Sequence, residues 1–381
     1  MIIASIISRR ISLSSSFLVH PIIIARKQSG SYFKNSHISH SLGATSVDER
    51  HHRLHHHTCL YLKSNAYHDT IQLNSSWTHI TSKKNPIVKL FQSLLKKKKA
   101  REEHNLTVIE GYRLVIDLLQ TKRHVFPNIL VTEDALAHDE FGEILQHLLE
   151  EENDNSKICV VSNDVLQACT DTVSPQGIVA TIKIASLDSS NLNRDKMPQN
   201  NNNNLILIMD GLSDPGNVGT LIRTSSAIGT KTISTIIMLH DTVDIYMPKV
   251  IRSSMGAIFS ISNIMHCSSF DNLQNVLNDC NVHTIYAATM MDDDSSSNSN
   301  NIKSIPYWEM NCNTDGDDGN IALCIGNEAS GLSYEVRDKI KEGLVLPIHI
   351  PMSSNSIESL NAAVSGSIIM YEFYRQISTM K

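Results

Sequence analysis

Acid is what the first 47 residues lack: they contain no Asp or Glu, yet carry Arg9, Arg10, Arg26, Lys27 and Lys34. They are also rich in Ser, Ile and His, and a basic, hydroxylated, acid-free start is the composition of an organelle-targeting leader. A secretory signal fits less well, because the Arg9-Arg10 pair follows the apolar run Met1–Ile7 instead of preceding it. A mitochondrial address is therefore expected, with a plastid one as the alternative. No apolar run reaches the ~18 residues needed to span a bilayer, so no membrane helix is expected. The seven cysteines are scattered, odd in number and form no CxxC, which argues against a disulfide framework and for reduced, packed thiols in an intracellular compartment. No dinucleotide fingerprint is present, since Gly211, Gly216 and Gly219 do not fit GxGxxG. No internal repeat is visible. A formal charge of −6 excludes a globally basic nucleic-acid protein.

What is present divides the chain into regions. At 381 residues it is too long for one small core and suits two domains plus a tail. Residues 1–80 read as leader plus a polar, His-rich stretch without periodicity. A first domain is expected over 85–187 and a second over 205–381. Between them, 188–204 ends in Gln199 and five asparagines, which cannot bury a core and read as a flexible linker. Asp292–Asn301 and Asn311–Asn320 read as polar loop insertions. The cluster His51, His52, His55, His56, His57 and Cys59 has ligand residue types but no second cluster to complete a site, so no metal is expected.

In the first domain, apolar residues at 87, 90, 91, 94 and 95 predict an amphipathic helix over Ile87–Lys99. From Lys83 to Arg101 there are eight basic residues and no acid. Lys96, Lys97, Lys98, Lys99 and Arg101, with Arg113 further on, are the expected RNA-backbone contacts, against the plainer reading of a solvated charged face. Strands are expected at Thr107–Ile109, Ile129–Thr132 and Ile158–Val161, a helix from Glu110 through Leu119, and a turn into a strand at Ser174–Ala180. In the second domain strands are predicted at Leu205–Met209, Ile233–Leu239, Thr284–Ala288, Ile321–Ile325 and Leu344–Ile350. Helices are predicted at Thr220–Ile228, Pro248–Ala257, Asn272–Asn278, Tyr334–Lys341 and Ile357–Ser378. Such alternation indicates an α/β fold with a parallel sheet covered on both faces.

Three segments of the second domain sit where a predicted strand meets a helix, the place where α/β proteins put chemistry. The first is Asp210-Gly-Leu-Ser-Asp-Pro-Gly-Asn-Val-Gly219, followed by Arg223. Its glycines permit close backbone approach, and Asn217 offers both a donor and an acceptor. The second, Ile325-Gly-Asn-Glu-Ala-Ser-Gly-Leu-Ser333, places Glu328 where strand ends converge, and Gly326 where a cofactor can lie against backbone. The third is Ile350-Pro-Met352, followed by Ser359-Leu-Asn361 at the start of the last helix. A fourth segment, Asp244–Phe259, sets Pro248 at a helix start, with Lys249 and Arg252 read as either a solvated exterior or an RNA contact.

In this order the three segments resemble the motifs of the SpoU family, the ribose methyltransferases of the SPOUT superfamily. "IEGYRLV" at 109–115 and "SPQGIVA" at 174–180 resemble the small α/β, ribosomal-protein-like substrate-binding domain that often precedes SpoU domains. The resemblance implies a trefoil-knot methyltransferase domain, a homodimer and S-adenosylmethionine as cofactor. It implies that Ile325, Gly326, Asn327, Ile350, Met352 and Leu360 hold the cofactor. Asn217, Arg223, Glu328, Ser359 and Asn361 would then form the catalytic set. An arginine at the position of Arg223 is often assigned as the base for the ribose hydroxyl, but a guanidinium is too basic for that, and charge stabilisation is the easier task. One departure is that Ser353-Ser-Asn-Ser-Ile357 carries no glycine, where family members commonly have a Gly-containing loop. The expected function is methylation of a ribose 2′-oxygen in structured RNA, with mitochondrial large-subunit rRNA as first choice and tRNA as second. The rivals are a non-catalytic RNA-binding assembly factor, which has no need of all five catalytic-type residues, and a small-molecule NAD enzyme, disfavoured by the absent fingerprint.

Overall fold

A computed structural model describes residues 77–138, 141–152, 156–188, 204–290, 303–312, 319–353 and 359–379. All of them fall in the compact unit His68–Lys381. The leader, the His51–Cys59 cluster, Cys59 itself and most of the Asn-rich linker lie outside the described residues. Among the described residues no helix is long and apolar enough to cross a membrane.

The first domain opens with β1 (Thr78–Ile80), then α1 (Pro86–Lys96), α2 (Lys98–His104), β2 (Leu106–Glu110) and α3 (Tyr112–Thr121). β3 (Asn128–Val131), α4 (Glu133–Leu136), α5 (Gly142–Glu152), β4 (Lys157–Val161), α6 (Asn163–Gln167) and β5 (Ile178–Lys183) complete it. Its sheet runs β1-β4-β3-β5-β2, with β5 antiparallel to both β2 and β3. Residues 77–80 belong to this domain and not to the leader in which the sequence places them. Trp77 and Ile80 are buried and β1 pairs with Cys159–Val161, three residues being too few to show a period.

The expected single helix over 87–99 is two helices. α1 begins with Asn85, whose Oδ1 accepts from Ile87 N (2.9 Å), and with Pro86 in the first turn. It buries Val88, Phe91 and Leu94, and then Lys97 turns extended (φ −121°, ψ 117°) before α2 restarts. The break turns Ala100 and Arg101 inward, while Lys96 to Lys99 stay exposed.

The second domain contains β6 (Leu205–Asp210), α7 (Pro215–Ile228), β7 (Thr235–Leu239), α8 (Pro248–Ser253) and β8 (Asn263–Cys267). It continues with α9 (Phe270–Asp279), β9 (Val282–Ala288), β10 (Ile305–Pro306), β11 (Asn320–Gly326), α10 (Tyr334–Lys341), β12 (Leu346–His349) and α11 (Ala362–Thr379). The sheet order is β10-β12-β9-β11-β6-β7-β8, every pair parallel. β6 is buried along its whole length, as a continuous apolar run in a sheet covered on both faces requires. α7 and α11 pack together: a Cβ on Gly366 would lie 2.5 Å from Leu221 Cδ2.

Two expectations about α7 and α8 change. α7 begins at Pro215, not Thr220, because Asp214 caps it by accepting from Gly216 N and Asn217 N. Gly216, Asn217 and Gly219 are therefore helical residues, not a loop. α8 ends at Ser253, and Gly256, at φ +75°, redirects the chain into a short 3₁₀ turn, Ala257–Ser260.

Arg101 is a correction to the RNA-contact reading. It is 5 % exposed; its guanidinium donates to the carbonyl of Leu94 and, from Nε at 2.8 Å, to Asp244 Oδ2 in the second domain. Removing one partner of such a buried pair costs about 3–5 kcal/mol. The exposed pairs Lys98–Glu102 (3.7 Å) and Lys99–Glu103 (3.6 Å) are worth a few tenths at most. Arg101 therefore holds the fold together, whereas the four lysines remain on the surface. Arg113 is also exposed.

Candidate active site and cofactor pocket

The strand register brings the ends of three strands level, with Asp210 of β6 beside Gly326 of β11 and Leu239 of β7. The first two segments singled out by sequence leave β6 and β11 at this edge, the third follows β12 of the same parallel sheet, and ligands of open α/β sheets bind at such carboxyl ends.

Glu328 ties the first two segments together. One carboxylate oxygen accepts from Ser213 N (3.3 Å) and Ser213 Oγ (3.2 Å); the other accepts from Asp214 N (3.3 Å) and Asn217 Nδ2 (2.8 Å). Asn217 Oδ1 in turn accepts from Asn361 Nδ2 (2.9 Å). Asn361 Oδ1 accepts from Ala363 N (2.9 Å) and Val364 N (3.2 Å), which makes it the N-terminal cap of α11. The three segments thus close into one chain, Glu328–Asn217–Asn361. Both ends of the Asn217 amide are committed, so its orientation is fixed. Partial burial would raise the Glu328 carboxyl, but the Asn217 amide and the backbone N–H groups around it outweigh that and hold it below its ordinary value.

A cavity of about 780 Å³ opens beside this chain. It gathers all six residues expected to hold a cofactor (Ile325, Gly326, Asn327, Ile350, Met352 and Leu360) with Glu328, Ser359 and Asn361. The size suits a small-molecule site, typically ~300–1,000 Å³. Ile325, Ile348, Ile350, Leu360 and Ile369 make much of its wall apolar, and Asn327, Glu328, Ser359 and Asn361 are among its polar lining.

Two of these residues also shape the loop that carries them. The space beside the Gly326 Cα is filled by backbone, since a Cβ there would lie 2.6 Å from Gly331 C and from Leu332 N. This glycine lets the loop fold back on itself. The Asn327 side chain donates to Gly211 O (2.7 Å) and accepts from Ala329 N (2.9 Å) and Ser330 N (3.0 Å). Its own N–H and carbonyl pair with Gly331. Asn327 shapes the loop and offers the cavity its surface alone.

Arg223 lies six residues beyond Asn217 on α7, exposed, and among the described residues it pairs with no carboxylate. Sequence reasoning misses Ser213, which grips Glu328 by two groups, and Asp210, whose Oδ2 accepts from Ser333 N (2.6 Å) at the start of α10. Burial pushes the Asp210 carboxyl up, and the Ser333 hydrogen bonds oppose that. A strand-end Asp and a loop Ser have no spacing signal of their own. Of the loop at 353–357, Ser353 alone is among the described residues.

Residues 204–371 match the model of the SpoU rRNA Methylase family, and residues 85–180 match the MRM3-like substrate binding domain. A solved AdoMet-bound rRNA methyltransferase from Sinorhizobium meliloti superposes with a TM-score of 0.61 over 79% of this chain and 98% of that one, at 23% identity. Fold and site together define a methyltransferase domain of the SPOUT trefoil-knot class behind a small substrate-binding domain. The 23S rRNA (guanosine(2553)-2′-O)-methyltransferase RlmP of Bacillus subtilis is 26% identical over 294 residues, covering 77% of this chain and 97% of the relative. The mitochondrial rRNA methyltransferase 3A of Danio rerio is 26% identical over 310 residues, covering 75% and 67%. Residues 204–371 thus carry a SpoU rRNA Methylase domain, and residues 85–180 a match to the MRM3-like substrate binding domain.

Proposed function

We propose that this protein methylates a ribose 2′-oxygen of large-subunit rRNA in mitochondria, with S-adenosylmethionine as methyl donor and as a homodimer. The observation that carries the reading is the Glu328–Asn217–Asn361 chain at the mouth of the cavity, in which three separate motifs meet in a fixed hydrogen-bond order. A bare RNA-binding factor has no use for it.

When bound, S-adenosylmethionine supplies an electrophilic methyl group on a cationic sulfonium. The apolar walls suit its adenosine part, and the ionised Glu328 at the cavity edge complements the sulfonium charge. Glu328 and Asn361 pin Asn217, so that the start of α7 is rigid when RNA arrives. Arg223 supplies a permanent positive charge from the same helix, suited to an RNA phosphate and to the charge that develops on the 2′-oxygen. Ser359 is exposed and lines the cavity, which supports a role for its hydroxyl in hydrogen-bonding the ribose. The exposed lysines 96–99 give the first domain a backbone-binding surface.

The relatives named for rRNA favour rRNA over tRNA. The acid-free, basic leader agrees with the mitochondrial address of one of them. For the homodimer, α11 exposes Val364, Tyr371 and Tyr374, and Leu360 lies just before it, an apolar stripe that a second copy would cover. Light scattering should give twice the chain mass, and Tyr371→Asp should give the monomer; a monomeric native protein removes the dimer from the account. For the activity, the protein is incubated with rRNA transcript and S-adenosylmethionine labelled in the methyl group. Label is expected in the RNA, and Asn217→Ala should abolish it while the fold is kept. Undiminished transfer by that variant would overturn the reading of the site.

A further inference from the structure

Three sequence motifs that the active site does not absorb meet at one point between the domains. Arg252, on α8, donates from Nη1 to Glu110 Oε1 (2.8 Å) and from Nη2 to Asp171 Oδ2 (2.7 Å). Glu110 ends β2 and begins the "EGYR" turn; its other oxygen accepts from Asp171 N (3.2 Å) and Thr172 Oγ1 (3.4 Å). The far end of that loop is held by Gln176, whose Oε1 accepts from Tyr112 N (3.0 Å). One guanidinium therefore grips the "EGYR" turn at Glu110 and, at Asp171, the loop that leads into "SPQGIVA", with the planar fork that a lysine lacks.

The other side of α8 rests on the catalytic helix. Ser253, next to Arg252, donates to Pro215 O (2.9 Å) in the first turn of α7, and the helices are so close that a Cβ on Gly219 would lie 1.8 Å from Ser253 Oγ. Asn217 lies between Pro215 and Gly219, and Arg223 follows on the same helix. The same segment anchors the first domain twice more, through Asp244 to Arg101 and through Tyr246 O, which accepts from Thr107 Oγ1 (2.6 Å). Side-chain exposure separates these anchors. Arg101 and Asp244 are 6 % and 11 % exposed, whereas Arg252 is 31 % exposed; its partner Glu110 is 8 % exposed and also accepts from Asp171 N and Thr172 Oγ1, bonds that do not need Arg252.

We propose that Arg252 is a positioning residue for methyl transfer: it locks the first domain, and the RNA held there, in one register with helix α7. The inference rests on the RNA-methylating function argued above. RNA bound by the first domain then presents one nucleotide to Asn217 and Arg223, and α8 sets the distance between docking surface and active site.

The test compares Arg252→Ala and Arg252→Lys in the full-length protein. For Arg252→Ala, affinities for S-adenosylmethionine and for rRNA transcript should stay near native. The turnover number should fall by about tenfold or more, since misplacing a reacting group by ~1 Å costs on the order of 100-fold. Methylation should also spread to neighbouring nucleotides, and Arg252→Lys should recover part of the loss. Should the Ala variant misfold, Asp171→Asn, at a half-exposed position, is expected to show the same split. A catalysis-free readout uses spin labels at Lys122→Cys and Lys231→Cys in a Cys59→Ser background, diluted into unlabelled chain. Their distance distribution should broaden in Arg252→Ala. Native turnover and native site choice in that variant would overturn the proposal. If the native protein transfers no methyl group to RNA, the functional reading falls, and an unbroadened distribution would then overturn the latch by itself.

Discussion

In the proposed reaction Arg223 and Glu328 carry opposite charges and are held by different means. Arg223 is exposed on α7, and among the described residues it pairs with no carboxylate. Removing it should lower turnover on the order of 10²–10³-fold, as loss of a transition-state donor does, and leave cofactor affinity unchanged in a calorimetric titration. Arg223→Lys should recover little, because a point charge does not reproduce the fork. Partial burial works against ionising Glu328, but the Asn217 amide and the backbone N–H groups of the loops around it outweigh that and keep it ionised. Its folded value lies below the unfolded one, about 4.3. Its contribution is therefore complete above that unfolded value and is lost as pH falls through the lower folded one. Thermal melts from pH 6 down to pH 3 should show Glu328→Gln losing less stability than the native protein; parallel curves would contradict this. Asn217, Glu328 and Asn361 are legible in the sequence because their motifs are local. The inward role of Arg101 is not, because Lys97 breaks the helix inside a run of lysines that reads as continuous. Nor does spacing show that Asn327 turns its amide back into its own loop.

Among the elements, α7 decides most. Asp214 and Pro215 start it one turn before the apolar pattern does, and that turn carries Asn217. Sequence periodicity sees the buried face of a helix but not the cap that begins it, and so it places the start of α7 five residues late. The parallel strands are legible, because a strand buried on both faces is a plain apolar run. Short β1 is not, since three residues carry too little pattern, and α8 is legible at its Pro248 start but ends four residues before the expected Ala257. Gly219 tests the α7–α8 contact. Any Cβ there meets Ser253 and the backbone N of Ser254 at 2.8 Å, so Gly219→Ala should cost about 1–3 kcal/mol in chemical denaturation, the usual range for overpacking. It should reduce methyl transfer more than cofactor binding, because α7 moves and the cavity wall does not. Native stability in this variant would show that the two helices are not in firm contact.

At the scale of the molecule, the proposed function has a net-acidic protein meet RNA through a small basic surface, with the active site held in fixed relation to it. Lys96 to Lys99 are exposed, and two of them face Glu102 and Glu103 only loosely. Reversing the four charges should weaken RNA binding and flatten its salt dependence, by a slope of about 0.7–0.9 for each phosphate no longer neutralised. Cofactor affinity should not change; equal RNA affinity at every salt concentration would move the docking surface elsewhere. The relation between the domains is the least legible feature, because it depends on pairs such as Arg252–Glu110, 142 positions apart in the chain.

The most direct measurement is the position of the transferred methyl group. The protein is given S-adenosylmethionine labelled in the methyl group and a large-subunit rRNA transcript, and the product is hydrolysed in alkali. A methylated 2′-oxygen cannot attack the neighbouring phosphate, so the account predicts label in alkali-resistant dinucleotides, absent with Asn217→Ala. Label released entirely in mononucleotides would place the methyl group on a base and contradict the account.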